Sequence, residues 1–419
     1  MIHKKKTAIL FVPFWRQEGH VGNNRIDRFV RWLAEDGYVV CMIRAGSVDS
    51  VRQEPWGPEI TVRDRMGLHV DRVPQEGTPG TTRKPNKYRR ALAHWLFNPD
   101  PTIVWARAAA RHPAVLQAMK GAAFILSSSP PESAHVGAWV LSRRSGVPHI
   151  VDMRDGWLDE PLKPLLRTSA GRRWIEGRLE ARILRDATAI QVTSDVWKEL
   201  LCKRMPNLSS KVQVLTNGYP KNSPTIPTPY KKAAGEELVL IHAGRFIGSR
   251  LTQLPSLLLE PLHRNLSINP AKGVIKLIGS LSNVELSLIE PFKSRFSEIG
   301  WRIECPGSML RGELLELLPK ADGLLLLSAS YAAIPSKLFE YVPSGRPIFV
   351  VTEKDSITWR ICSALSQACV VEVNLSSKHY RDVLDKPFYF ASEIDVPYIY
   401  SEEYLSPCFR STLKLNDFD

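Results

Sequence analysis

Two arginines bracket a glycine-containing turn in AGRFIGSR, residues 243–250, where Arg245 and Arg250 follow the apolar run Leu238–His242. Planar guanidinium forks donate bidentately to phosphate oxygens, so this pair suits a diphosphate; the competing reading is two solvated loop arginines. A second cluster lies in IPSKLFEYVPSGRPI, residues 334–348. There the spacing predicts a loop at Ile334 and Pro335, then a helix from about Ser336 to Val342 with Lys337 in its first turn. The N–H groups of a helix start beside a lysine form an anion site, and Glu340 one turn later can accept hydrogen bonds from two ribose hydroxyls. Ser, Lys and Glu in a first turn are also plain capping chemistry, so the pattern alone is weakly specific.

The amino-terminal half offers a different set. Gly19, Gly22 and Asn23 form the loop behind a first apolar run, where glycines admit close backbone approach to a phosphate or sugar, or simply turn the chain. Asp152, Arg154 and Asp155 stand at the carboxyl end of an expected strand. Asp155 is placed to orient an acceptor hydroxyl or take its proton; the alternative for Arg154 is a structural salt bridge. His135 opens a helix after SSSPPESA and is a candidate for the same chemistry, although a lone His at a helix start is more often a cap. No D-x-D adjoins a strand end, no His pair has metal spacing, and the six cysteines are scattered without a C-x-x-C, which reads as reduced and structural.

The elements that position these residues follow from periodicity. Expected strands in the first half are Ala8–Val12, Val39–Ile43, Thr102–Trp105, Phe124–Ser127, His149–Asp152, Ala189–Thr193 and Val212–Leu215. In the second they are Leu238–His242, Val274–Ile278, Trp301–Cys305, Gly323–Leu327 and Pro347–Val351. Helical patterns fill the gaps, as where Ile26, Phe29, Val30 and Leu33 recur at i, i+3, i+4 and i+7. Around residues 46–100 the pattern breaks down, and RKPNKYRR at 83–90 reads as an exposed loop or insertion. The proline-rich KNSPTIPTPYKKAAGEE at 221–237 reads as a linker. Two doubly wound α/β domains are expected, 1–220 and 238–419, with the last helices crossing back to the first domain. Open α/β sheets bind ligands at their carboxyl edges, which puts the expected active site in a cleft between them.

At 419 residues, with 44% hydrophobic and 24% charged positions, the chain is an ordinary globular composition. No apolar run is long enough to span a bilayer, and the basic, apolar start at MIHKKKTAILFV meets Arg16 and Glu18 too soon for a signal peptide. The net charge of +13 is one-sided: residues 1–220 carry 34 Lys and Arg against 21 Asp and Glu, and the remainder 22 against 22. One domain therefore faces something anionic, unless its basic surface has no partner. In 157–185 the apolar Trp157, Leu158, Leu162, Leu165, Leu166 and Trp174 accompany Arg167, Arg172, Arg173, Arg178 and Arg182. That combination suits the interface of an anionic membrane; a packed surface helix with Glu176 neutralised by its arginines is the alternative.

AGRFIGSR, then PGSMLRGELLELLPKADGLLLL at 306–327, then IPSKLFEYVPSGRPI resemble, in order and interval, the donor half of glycosyltransferase family 4. SSSPPESAH, SGVPHIVDMRDGWLDEP, DATAIQVTSDVWKELL and KVQVLTNGYP resemble the acceptor domain of its bacterial members that build surface polysaccharides. The likeness spans most of residues 8–352. It implies the GT-B fold, with two doubly wound Rossmann-like domains facing across a cleft. It also implies donor contacts at Arg245, Arg250, Gly307, Met309, Pro335, Ser336 and Lys337, and a ribose contact at Glu340. Arg250 stands where the family has Lys, and Ala332 where its E-x7-E motif has the first Glu. The implied activity is retaining transfer of a hexose from a nucleoside diphosphate sugar, UDP first among candidates, to a saccharide or lipid-linked acceptor. Cations and helix dipoles would take the place of a metal, no cofactor would be needed, and the setting would be the cytoplasmic face of the plasma membrane. Two other classes compete. A basic nucleic-acid-binding protein lacks a recognition motif here, and a dehydrogenase lacks a G-x-G-x-x-G after a strand.

Overall fold

The computed structural model describes residues 6–15, 23–66, 96–159, 170–220, 236–246, 254–268, 271–374, 379–380 and 396–414. The chain divides into two compact units, Met1–Thr216 together with Ser406–Asp419, and Asn217–Leu405.

The first unit is built on strands β1 (Thr7–Phe11), β2 (Val39–Gly46), β3 (Ser50–Glu54), β4 (Gly57–Arg63), β5 (Ala122–Ser129), β6 (His149–Met153), β7 (Ala189–Val192) and β8 (Val212–Val214). Their order is β3-β4-β2-β1-β5-β6-β7-β8, parallel except for the edge strand β3. Strands covered on both faces read as unbroken apolar runs, which is why Ala8 to Phe11 are all fully buried. Helices α1 (Asn23–Glu35), α2 (Ile103–Ala109), α3 (Pro113–Ala118), α4 (Ser133–Ser145), α5 (Ala170–Asp186) and α6 (Asp195–Arg204) belong to this unit. Phe11, Ile43, Trp105, Ala134 and Leu141 meet in its core.

Two sequence expectations change here. Thr102–Trp105 was expected as a strand, but Ile103–Ala109 is the helix α2. Asp100 Oδ1 accepts the Thr102 N–H at 2.9 Å, and the alanines that follow have the highest helix propensity, so the Asp-Pro-Thr start outweighs the short apolar run. The interrupted pattern after residue 46 holds the hairpin β3–β4, with β4 paired in parallel to β2. The segment 83–90 lies outside the described residues.

The second unit carries β9 (Leu238–Ala243), β10 (Gly273–Ile278), β11 (Trp301–Gly307), β12 (Gly323–Ser328), β13 (Ile348–Thr352), β14 (Ala368–Asn374) and β15 (His379–Tyr380). The order is β11-β10-β9-β12-β13-β14-β15, parallel but for β15. Helices α7 (Pro255–Ile268), α8 (Asn283–Glu298), α9 (Arg311–Leu317), α10 (Leu338–Tyr341) and α11 (Ile357–Ser363) follow. α8 opens with a capping box in which Ser282 and Glu285 satisfy each other's backbone N–H groups.

The final helix, α12 (Glu402–Lys414), passes from the second unit into the first. Phe409 stacks on Phe29 with ring centroids 4.7 Å apart and touches Trp32, while Arg410 pairs with Asp36 at 2.8 Å. Phe409 is fully buried, so Phe409→Ala should destabilise the first unit by about 3–5 kcal/mol. Denaturant melts followed by near-ultraviolet circular dichroism check this; a loss below about 1 kcal/mol would show that the helix is peripheral.

Candidate functional site

In an open α/β sheet the loops that leave the two strands where the order reverses diverge and open a crevice. In the second unit that point lies between β9 and β12. The strand β9 ends at Ala243, and Gly244 follows with φ +97°. A Cβ at Gly244 would stand 2.9 Å from Lys337 Cε and 3.1 Å from Nζ, so the missing side chain is what lets the lysine lie across this turn. Neighbouring strand ends repeat the device. Gly279 after β10 has φ +156°, and its Cβ would meet the Gly244 backbone at 2.9 Å. Gly307 ends β11 with φ +89° and open space before it, and its carbonyl accepts the Gly279 N–H at 2.8 Å. Three adjacent strands thus end in glycines with positive φ, two of them at close approaches.

The turn after β9 is fixed at each residue. The Gly244 N–H donates to Ile278 O at 2.6 Å, Arg245 Nε to Ser280 O at 2.8 Å, and the Phe246 N–H to Glu285 Oε1 at 2.8 Å. Tyr341 Oη accepts the Ala243 N–H at 2.8 Å. Lys337 Nζ lies 3.3 Å from His242 Nε2, and His242 Nδ1 lies 2.9 Å from Leu325 O. Desolvation pulls the Lys337 amine down to about 8, against the opposing attraction of Glu340 and Glu285. Burial first, and the Lys337 charge second, hold the His242 imidazole well below its ordinary range, so it is neutral at physiological pH.

Among the donor-side residues read from the sequence, Lys337, Arg245 and Gly307 gather at these strand ends. Arg245 and Met309 are exposed, and Pro335 and Ser336 are half-buried in the turn before α10. Arg250 lies outside the described residues. Glu340 accepts from Arg311 Nε at 3.0 Å and Nη2 at 2.9 Å, both on Oε1. The expected helix from Ser336 to Val342 is shorter: α10 spans four residues and tightens into a 3-10 turn at Val342–Ser344, closed by Gly345 with φ +66°. Pro343 has no N–H to continue it, so the cation at this site is the Lys337 side chain and not a helix dipole.

In the first unit the order reverses between β1 and β5, and there an open concavity of about 240 Å³ is lined by Phe14, Trp15, Asn23, Ser128, Pro130 and Arg154, among others. Arg154 Nε donates to Ser129 O at 2.7 Å and Nη2 to Pro130 O at 2.8 Å, so its guanidinium braces the wall with its donors. Asp152 is buried with a partner that the sequence did not single out: Arg25 Nη2 meets Asp152 Oδ1 at 2.6 Å and its Nη1 donates to Thr216 O, while Ser128 Oγ donates to Asp152 Oδ2 at 2.6 Å. Asp155 is half-buried beside Arg154. His135, expected at the cleft, is instead fully buried, with Nδ1 2.7 Å from Ser127 Oγ and its ring against Trp157. The Ser133 N–H and Oγ bond Asp100, which pulls the first turn of α4 inward and carries His135 into the core. Gly19 and Gly22 lie outside the described residues. Among the described residues no three His, Cys, Asp or Glu side chains gather into a metal-holding cluster.

The segment expected to enter a membrane is partly core. Trp157 is 1% and Leu158 7% exposed; Trp157 Nε1 donates to Glu176, and Arg172 pairs with Glu176 at 2.7 Å while bonding Phe97 O and Pro99 O. Leu162, Leu165, Leu166 and Arg167 lie outside the described residues. Trp174 and Ile175 are 60% and 50% exposed, with Arg178 stacked over Trp174 at 4.3 Å. No helix among the described residues is long and apolar enough to cross a membrane.

Residues 22–218 match the glycosyl transferase 4-like domain. Solved structures align over nearly the whole chain. The lipopolysaccharide outer core galactosyltransferase WaaB is 12% identical over 97% of this chain and 99% of its own, with a TM-score of 0.50. Anabaena HepE in complex with UDP and glucose is 12% identical over 98% and 92%, at 0.51. The α,α-trehalose 6-phosphate synthase of Burkholderia multivorans is 12% identical over 99% and 94%, at 0.57. The chain carries a glycosyl transferase 4-like domain in its amino-terminal half, and its fold is GT-B. No curated protein matches its sequence.

The glycine arrangement of the second unit has a measurable consequence. Gly307→Ala pays only for left-handed backbone and should cost about 1–2 kcal/mol. Gly279→Ala should cost more, because its Cβ meets backbone that cannot rotate away. Equal losses in thermal melts of the two variants would contradict the close approach at Gly279.

Proposed function

We propose that this glycosyltransferase moves a hexose from UDP to a saccharide or lipid-linked acceptor in surface polysaccharide assembly, with retention at the sugar carbon and without a metal. The observation that carries the reading is the partly desolvated ammonium of Lys337, laid over Gly244 at the strand-order reversal of the second unit. A cation drawn out of water beside a neutral imidazole gains most from an anion that completes its shell. Arg245, anchored through Nε at the next residue, supplies a second charge for a diphosphate. As the glycosidic bond breaks, negative charge grows on the departing diphosphate, and fixed cations already oriented there lower the barrier without reorganising. Complexes of HepE with UDP support UDP as the nucleotide. Glu340 is the ribose contact in this reading, and the first-unit concavity beside Arg154 and Asp155 receives the acceptor. The implied retention comes from the family resemblance.

Lys337→Ala should weaken UDP binding about 10- to 100-fold, the worth of a charged hydrogen bond, and leave uridine binding unchanged. The pH dependence has a definite sign. An amine with a free-state value of about 8 is protonated below it, so UDP affinity should be flat from pH 6.5 to 7.5 and fall as pH rises beyond 8. Titration calorimetry measures both; affinity that is level up to pH 9.5 would remove Lys337 from the phosphate. Turnover that survives EDTA supports cationic side chains in place of a metal, and activity abolished by EDTA and restored by Mg²⁺ would refute that part.

The partner of the first unit is an anionic membrane surface. Trp174 and Ile175 project from α5 among Arg173, Arg178 and Arg182, all exposed, and an exposed aromatic ringed by arginines suits the headgroup layer. Replacing Arg173, Arg178 and Arg182 by Glu should abolish co-sedimentation with phosphatidylglycerol vesicles and leave UDP binding intact. Full sedimentation of the triple variant would make α5 an ordinary surface helix.

A further inference from the structure

His242 is an anomaly in its strand. Leu238–Ala243 is otherwise apolar, yet at its carboxyl end it buries an imidazole completely, stacked on Phe246 with centroids 4.2 Å apart and planes 9° from parallel. Each ring nitrogen has its own neighbour. The Leu325 carbonyl can only accept, so Nδ1, 2.9 Å away, must carry the proton and donate. In a neutral ring this leaves Nε2 as a bare lone pair, and it lies 3.3 Å from Lys337 Nζ, a donor only.

We propose that His242 is a positioning residue for donor binding: its Nδ1–H tautomer, fixed by Leu325 O, makes Nε2 the acceptor that holds the Lys337 ammonium over Gly244. The inference rests on the reading of Lys337 as a diphosphate ligand and adds the group that aims it. A carboxylate in this place would hold the lysine as firmly but would cancel its charge before the nucleotide arrived. A neutral acceptor orients the amine and leaves its charge for the phosphate. The charged groups that act on Lys337 are Glu340 and Glu285, which favour its protonated form; Glu340 is engaged by Arg311 and Glu285 by the α8 capping box and the Phe246 N–H. Burial and the lysine charge keep the imidazole neutral, against the Leu325 and Gly244 carbonyls. The Phe246 stack fixes the ring plane, and the Phe246 backbone is in turn tied to Glu285.

The test is a double-mutant cycle read with UDP and with uridine at pH 7. His242→Leu should weaken UDP about tenfold or more and uridine less than twofold, and His242→Gln, which restores an acceptor, should recover most of the loss. In a Lys337→Ala background, His242→Leu should change UDP affinity no further. Full-sized loss in that background, equal loss of uridine, or no loss of UDP in the single variant would overturn the assignment. If Lys337→Ala itself leaves UDP binding untouched, the diphosphate reading fails first, and that result is separate from the coupling. A measurement on the wild-type protein covers the case in which His242→Leu does not fold. Nitrogen-15 spectra of labelled histidine should show His242 protonated at Nδ1 and bare at Nε2 at pH 7; the Nε2–H tautomer or an imidazolium would overturn the proposal.

Discussion

A positive charge held partly out of water, with a neutral ring for its neighbour, is the constraint around which the second unit is organised. Desolvation disfavours the Lys337 ammonium enough to bring it to about 8, and the fold tolerates this because the backbone around it is over-determined. Gly244 clears the space, Gly279 lets β10 close beneath it, Tyr341 pins the end of β9, and Glu285 joins the turn to α8. Together they hold the Lys337 ammonium in place over Gly244.

The first unit treats charge in the opposite way. Arg25 and Asp152 are both buried and cancel each other, joining α1 to the end of β6 and to the chain at Thr216. Arg204, partly exposed, bridges Glu180 and Asp159, and Arg172 pairs with Glu176. Such pairs add little net stability, but removing one partner strands the other, so they fix register between elements. On the outer surface of this unit, α5 shows Trp174 and Ile175 beside the exposed Arg173, Arg178 and Arg182.

Much of the fold was legible because fully buried parallel strands leave short apolar runs: of the twelve strands read from the sequence, only Thr102–Trp105 proved helical. The edge strand β3 was missed because it faces water and Ser50–Glu54 alternates weakly, and the inner strands β4 and β14 were missed as well. At the site, Lys337 and Arg245 were legible since cations beside glycine turns are conspicuous. His242 was not, although a lone imidazole ending an apolar run was a signal, because its role depends on Leu325 and Lys337, far away in sequence. Arg25 was hidden for the same reason: its partner Asp152 is 127 positions distant. His135 was misplaced because a residue at a helix start faces in or out according to how that first turn docks, and Asp100, 33 residues from Ser133, sets the docking.

The central claim is that Lys337 meets the diphosphate of a nucleotide donor. A crystal structure of the protein with UDP tests it most directly. The account predicts a phosphate oxygen about 3 Å from Lys337 Nζ, over Gly244, with the Lys337–His242 contact kept. UDP bound with its phosphates away from Lys337, or Lys337 swung off His242 into solvent, would contradict it.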